Sequence, residues 1–328
     1  MDERRLGATG LHVSEIGLGT MTWGDRTDED AARELLRDFL DAGGTLVDSA
    51  ASYGSTDAES ILGSLLATDV PRADLVLCVQ SGLRRAGSVA GTGSAVVPDA
   101  SRRHLLDGLD ASLRRLGTDH VDLFLVQAPD PRTPLAETAS ALETAISSGR
   151  ARYVGVGDHP AWRTAALATR LAAGGSCGLA AAGLEYSLLE RGLEAEVAPA
   201  ATELGVGLLA WSPLGRGVLT GKYRKGTPAD SRAASDRWAP YVEQYLDAGA
   251  GAVVSAVSTA ADGLGRSPLE VALAWTLARG VSSAVVGPRT PAHLRAATAA
   301  ADLELPREVM AALDDVSAPG RTYPAWRG

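Results

Sequence analysis

Short runs of apolar and β-branched residues recur along the chain at 15–20, 45–49, 75–80, 121–127, 153–157, 179–185, 207–211 and 283–286. They are too short for helices and read as strands. Between them, the segments 28–42, 100–116, 135–146, 161–172, 193–204 and 268–278 carry apolar positions at helical spacing. Arg33 and Arg37 share one polar helix face, and Arg103 and Arg114 share another. Asp28, Asp99 and the Thr133–Pro134 pair are cap-like starts, while Gly43, Gly44, Gly117 and Gly205 are stops. Eight strand–helix units predict a parallel sheet, and eight units of about 41 residues each close it. The expected fold is therefore α/β, a (β/α)8 TIM barrel forming a single domain over 1–328. A doubly wound sheet is the alternative, but no G-x-G-x-x-G loop follows the first strand, and the Ala-rich run 249–251 follows a helix-like stretch. Two segments exceed ordinary connections: 84–98 after the third strand, rich in Gly and Ser, and 222–251 after the seventh. On a barrel both belong to the C-terminal, substrate-binding face.

Composition adds exclusions. The formal charge of -9 argues against nucleic acid or an anionic membrane as partner, because both need a basic face. A small-molecule substrate is the expected partner, with no nucleic acid and no membrane. Cys78 and Cys177 make no disulfide framework and fit a reducing compartment. The first residues lack the apolar run of a signal peptide, and no stretch of about eighteen apolar residues occurs, so a cytoplasmic protein is expected. Among the 31 basic residues only two are lysines, Lys222 and Lys225, which excludes a catalytic lysine at any other position.

The second strand runs into Asp48 and, five residues on, Tyr53. A buried carboxylate can orient a phenol for proton transfer at a barrel mouth. By itself an Asp and a Tyr at this spacing more often make a loop hydrogen bond. The surrounding runs change that weighting: 10–21 (GLHVSEIGLGTM), 116–123 (LGTDHVDL), 185–191 (EYSLLER) and 211–223 (WSPLGRGVLTGKY). In these motifs, in this order, the chain resembles the aldo-keto reductases over essentially its whole length. The resemblance implies the same barrel and NADP(H)-dependent reduction of aldehydes and ketones.

That family works with an Asp, a Tyr, a Lys and a His. Asp48 and Tyr53 match the first two. The lysine position falls in 77–82 (LCVQSG) on Gln80, and the histidine position in 125–130 (LVQAPD) on Gln127. A free tyrosine titrates near about 10. A lysine cation about 4 Å away at an effective dielectric of 20 favours the phenolate by roughly 4 kcal/mol. Gln80 carries no charge and cannot supply this, nor can it neutralise Asp48, which is left needing another donor or a raised pKa. Gln127 can donate a hydrogen bond but cannot titrate.

By the same resemblance, the Ser-Asn pair that would hold the nicotinamide amide reads Gly157-Asp158, and the glutamine of the sixth strand is Gly183. A stacking aromatic survives as Tyr186 or Trp211. The pyrophosphate stretch keeps Ser212, Leu214, Arg216 and Lys222, and Arg289 is retained for a 2′-phosphate. The adenine contacts, reading His293-Leu294-Arg295-Ala296-Ala297, are mostly replaced. NADP(H) is thus implied with its phosphate contacts kept and its nicotinamide and adenine contacts altered; no metal is implied. Trp23, after the first strand, is expected to wall the substrate pocket. Cys78 shares a strand face with Gln80 and reads as core. His159 reads as an exposed histidine rather than a replacement acid/base, and His12, His104, His120 and His293 have no metal-ligand spacing.

The expected function is an enzyme of this fold in which Asp48, Tyr53 or Asp158 moves protons in a redox-neutral elimination, isomerisation or cyclisation of a small organic substrate. The alternatives are an NADP(H)-dependent aldehyde/ketone oxidoreductase with an atypical site, and a non-catalytic binding or regulatory barrel.

Overall fold

The computed structural model describes residues 1–53, 57–85, 96–175, 178–224, 226–229, 231–236 and 238–320. Gly54, Cys177 and Lys225 lie outside the described residues, as does most of the expected loop 84–98.

The chain opens with an antiparallel hairpin, β1 (Glu3–Arg5) and β2 (His12–Ser14). The barrel strands follow: β3 (Ile16–Gly19), β4 (Leu46–Ala50), β5 (Val76–Ser81), and, after a second hairpin β6 (Leu83–Arg85) and β7 (Val96–Pro98), β8 (Val121–Val126), β9 (Ala151–Gly157), β10 (Ala181–Glu185), β11 (Gly207–Trp211) and β12 (Ser283–Val286). All eight barrel pairings are parallel, and the sheet closes in the order β10-β11-β12-β3-β4-β5-β8-β9. The eight strands read from the pattern are these eight, with ends shifted by a few residues.

Helices α1 (Glu29–Asp41), α2 (Asp57–Thr68), α3 (Arg102–Leu116), α4 (Leu135–Ser147), α5 (Ala161–Ala173), α6 (Val197–Leu204), α7 (Ala239–Glu243), α8 (Ala248–Leu264), α9 (Pro268–Ala278), α10 (Pro291–Ala299) and α11 (Arg307–Val316) surround it. Asp28 caps α1 through the Ala31 amide at 2.9 Å. The cap of α3 is not Asp99 but Ser101, whose hydroxyl accepts from the His104 amide and donates to Asp99. Gly117 and Gly205 end α3 and α6 in the left-handed conformation.

Alternation along each strand sorts side chains into two cores. Outward-facing Val47, Leu77, Val79 and Phe124 meet Leu35, Leu62 and Leu109 of the helices. Inward-facing Leu46, Cys78, Leu123, Leu125 and Leu209 fill the barrel, and Leu6 and Val13 of the first hairpin plug its N-terminal end. Period two then fixes the next inward positions, Asp48 and Gln80, one step further toward the open end.

The segment 222–251 is not a plain loop. It carries a short 3-10 turn (Arg232–Ala234) and α7, and its last residues already belong to α8, so the insertion ends near Asp247, which caps that helix. The described ends of 84–98 form the β6–β7 hairpin.

Candidate active site

A cavity of about 560 Å³ lies over the C-terminal ends of the strands. Four neighbouring strands each contribute one side chain to its wall. Asp48 comes from β4, Gln80 from β5, Gln127 from just beyond β8 and Asp158 from just beyond β9. Tyr53, in the turn after β4, joins them. The opposite arc, after β11 and β12, supplies Trp211, Ser212, Leu214, Lys222 and Arg289. Arg216 borders it as well, so eleven of the thirteen residues singled out from sequence for catalysis, cofactor or substrate wall lie on one cavity, all but Trp23 and Tyr186.

At its deep end the Gln80 amide donates to Asp48 Oδ1 at 2.7 Å, and Tyr53 Oη donates to Asp48 Oδ2 at 3.2 Å. Gln80 Nε2 also lies 3.4 Å from Tyr53 Oη. The thiol of Cys78, paired in register with Asp48, is a third donor. Gln80 thus does part of what a lysine would do, by hydrogen bonding without charge. Burial dominates the balance: Asp48 is only 7% exposed and its carboxyl is pushed up to about 6 despite the three donors. Burial and the adjacent carboxylate push the Tyr53 phenol well above its ordinary value, so it stays protonated at neutral pH. Ser52 Oγ donates to Gln127 Oε1 at 3.1 Å, which turns that amide. Gly157 lets β9 approach this point: a Cβ there would sit 2.7 Å from the Gln127 carbonyl oxygen.

Asp158 accepts from Trp211 Nε1 at 2.9 Å, and its own amide donates to the Gly183 carbonyl. Its carboxyl is also raised, first by burial and then by the charge of Glu185. Asp158 is exposed where Asp48 is buried, and solvent screening weakens that shift relative to Asp48. Asp158, Ser212 and Arg216 are the three non-glycine residues with positive φ among those described, at 52°, 51° and 57°. All three border the cavity, and backbone strain of this kind concentrates at functional sites.

Several expectations change. Trp23 is fully buried in the helix–strand core and is not among the residues lining the cavity; its neighbours Met21 and Thr22 are. Tyr186 is also buried, packs on Trp275 and donates to Glu194, which leaves Trp211 as the one of the two stacking candidates at the cavity wall. Arg216 borders the cavity, but its guanidinium forks onto Glu185 at 2.9 and 2.6 Å and donates to the Tyr241 carbonyl at 2.6 Å. The Tyr241 ring lies 4.0 Å away. This charge is offset in place, and it fastens the insertion to β10. His159 is buried rather than exposed, and its Nδ1 pairs with the Gly157 carbonyl at 2.7 Å. Burial holds it down to about 4, so it is neutral and donates there.

Residue-by-residue reading missed the inner surface of the insertion. Pro228, Ser231 and Tyr241 line the cavity, Tyr241 Oη lies 3.1 Å from Ser212 Oγ, and Trp238 Nε1 ties the insertion to Asp25 at 3.2 Å. The length of 222–251 was the available signal; no spacing rule picks Ser231 out of it.

Does the groove suit a dinucleotide? Ser231 Oγ is buried on the cavity wall with no hydrogen-bond partner among the described residues, as a ligand-binding hydroxyl would be. Gly217, at φ 93°, leaves room beside Lys222, whose Nζ would lie 3.0 Å from a Cβ. The cationic arc fits phosphate. The Asp158 side chain offers a carboxamide ligand only acceptors once ionised.

Parallel barrel, strand-end acid and phenol, and a cationic arc after the last two strands define a barrel of the reductase type. The chain belongs to the aldo/keto reductase family, whose model matches residues 15–318. It is 35% identical over 335 residues to the uncharacterized oxidoreductase YrpG of Bacillus subtilis (strain 168), covering 99% of this chain and 100% of that one. Two plant proteins named as probable voltage-gated potassium channel subunits beta are also similar over 300 residues. The one from Oryza sativa subsp. japonica is 35% identical and the one from Arabidopsis thaliana 33%, each covering 88% of this chain and 87% of its own.

Proposed function

We propose that this barrel is an NADP(H)-dependent oxidoreductase acting on a small organic substrate at the end lined by Asp48, Tyr53, Gln80 and Gln127. The observation that carries this reading is the continuity of the cavity: one space runs from Asp48 and Tyr53 to Lys222 and Arg289. A catalyst of a proton transfer alone has no need of the second half. Ser212, Leu214, Lys222, Ser231 and Arg289 would hold the phosphates, with Trp211 and Asp158 beside the nicotinamide. The dinucleotide, when bound, supplies or accepts hydride.

The remaining chemistry belongs to this chain. When Asp48 is ionised, the Tyr53 hydrogen is committed to Asp48 Oδ2. When Asp48 is protonated it can donate to Tyr53 Oη instead, freeing the phenol hydrogen for a substrate atom. Proton delivery therefore requires the acid form of Asp48 and grows as pH falls through about 6.

Two carboxylates with raised pKa on one wall, Asp48 and Asp158, favour as a second reading redox-neutral proton transfer. One experiment separates them. Quenching of protein fluorescence or enhancement of NADPH fluorescence on titration is expected for the oxidoreductase. A flat titration, with turnover that needs no nicotinamide and is lost in Tyr53→Phe, would establish the redox-neutral reading instead.

A further inference from the structure

We propose that the substrate reacts at a protonated C=N group, an iminium reduced to an amine, and not at a neutral carbonyl. The inference names the substrate class of the site and rests on the oxidoreductase reading above. It starts from how charge is distributed around the barrel. The consecutive strands β4, β5, β8 and β9 present Asp48, Gln80, Gln127 and Asp158, two carboxylates and two neutral amides. The cations that border the cavity, Arg216, Lys222 and Arg289, all follow β11 or β12, and Arg216 is already forked onto Glu185. This half thus holds two carboxylates, and among the described lining residues the one cation whose charge reaches it is Arg216, which acts on Asp158 from its fork on Glu185 and is not a cause of the Asp48 balance.

Asp48 is the sharper part of the argument. It is more than nine-tenths buried, and its side-chain donors are an amide, a phenol and a thiol, all neutral. A buried carboxylate held this way gains most from a cationic ligand. A carbonyl substrate asks for the opposite, a donor that can surrender a proton to the oxygen, and at neutral pH the Tyr53 hydrogen points to Asp48. An iminium brings both the positive charge the wall lacks and the proton the wall cannot give.

The step balances. The iminium carbon gains a hydride, and with it two electrons, from a reduced nicotinamide dinucleotide, which leaves oxidised. The C=N π pair becomes the nitrogen lone pair, and the neutral amine then takes its proton from water. In this reaction Asp48 and Asp158 stabilise the cation and Tyr53 need not ionise. A lysine at position 80 would oppose it, because its charge would face the iminium.

The test uses the full chain with 2-methyl-1-pyrroline and cyclopentanone as paired probes, following loss of NADPH absorbance at neutral pH. The cyclic imine is expected to exceed the ketone in kcat/KM by about tenfold or more, the ratio that one pKa unit of interaction represents. Gln80→Lys, which restores a cation without removing Asp48, is expected to narrow or invert the preference. A second readout needs no dinucleotide: calorimetric binding of pyrrolidine, expected to weaken about tenfold in Asp48→Asn, again about one pKa unit of interaction. Ketone turnover equal to or above imine turnover, or pyrrolidine affinity unchanged in both Asp48→Asn and Asp158→Asn, overturns the inference while leaving the oxidoreductase reading intact. A flat NADPH titration removes the oxidoreductase reading and the reduction step with it. The pyrrolidine arm then still decides whether the wall selects cations.

Discussion

Replacing Asp48 by Asn should stabilise this protein, and more so at higher pH. The carboxyl titrates at about 6 in the folded chain against an ordinary 3.8. The native state therefore binds this proton more tightly than the unfolded state, and folding is penalised where the group must ionise. Below the unfolded value the penalty vanishes; it grows as pH rises toward the folded value and is full above it. Two pKa units correspond to about 3 kcal/mol at about pH 8, and the same linkage gives roughly half of that at about pH 5. In Asp48→Asn the side-chain carbonyl still accepts from Gln80 Nε2 and the new amide turns toward Tyr53 Oη, so the hydrogen bonds can be remade. Urea unfolding of both proteins at the two pH values should thus show the variant gaining more at about pH 8 than at about pH 5, by on the order of 1 kcal/mol. Contributions of the substitution that do not depend on pH cancel in that difference. A gain that is the same at both pH values, or a loss that deepens with pH, would refute the reasoning, since it would mean that Asp48 is not held against its ionisation.

Three further outcomes follow from the site. Arg216→Met leaves Glu185 unpaired beneath the insertion and should destabilise by about 3 kcal/mol in thermal or urea unfolding, with faster limited proteolysis within 222–247. Ser231→Ala removes a hydroxyl that has no partner among the described residues, so unfolding should be unchanged while NADPH affinity measured by fluorescence falls by up to about tenfold, the effect of one good hydrogen bond. Reduction of a simple aldehyde should rise as pH is lowered through about 6 and be lost in Tyr53→Phe, whereas a profile flat between about pH 5 and 8 would exclude the Asp48 relay.

The barrel was legible because period two and helical spacing alternate along the chain, and because inward and outward strand positions differ in kind. Asp48, Gln80, Gln127 and Asp158 could be placed together because each stands at the end of a strand. Trp23 and Tyr186 could not be judged that way: both are large aromatics near strand ends, and which side of the wall they take depends on packing partners such as Trp275, distant in sequence. The same limit applied to Arg216. An arginine in a phosphate-type loop looks available until Glu185, 31 residues earlier, is seen to occupy it. His159 looked exposed beside a strand end, yet the Gly157 carbonyl draws it inward.

The plug at the closed end of the barrel has a consequence for how the chain is made. Arg4 donates to the carbonyls of Leu277 and Val281, Ala8 to that of Gly205, and Arg5 accepts from Ser282. Arg4 therefore meets the last of its partners only after 277 further residues have been added. Until then the hairpin has no floor to seal, and the apolar interior of the growing sheet stays open from below. Contacts of this span slow closure and lengthen the time for which unpaired strand edges are exposed. In this barrel the beginning of the chain can complete its contacts only once the end has been made.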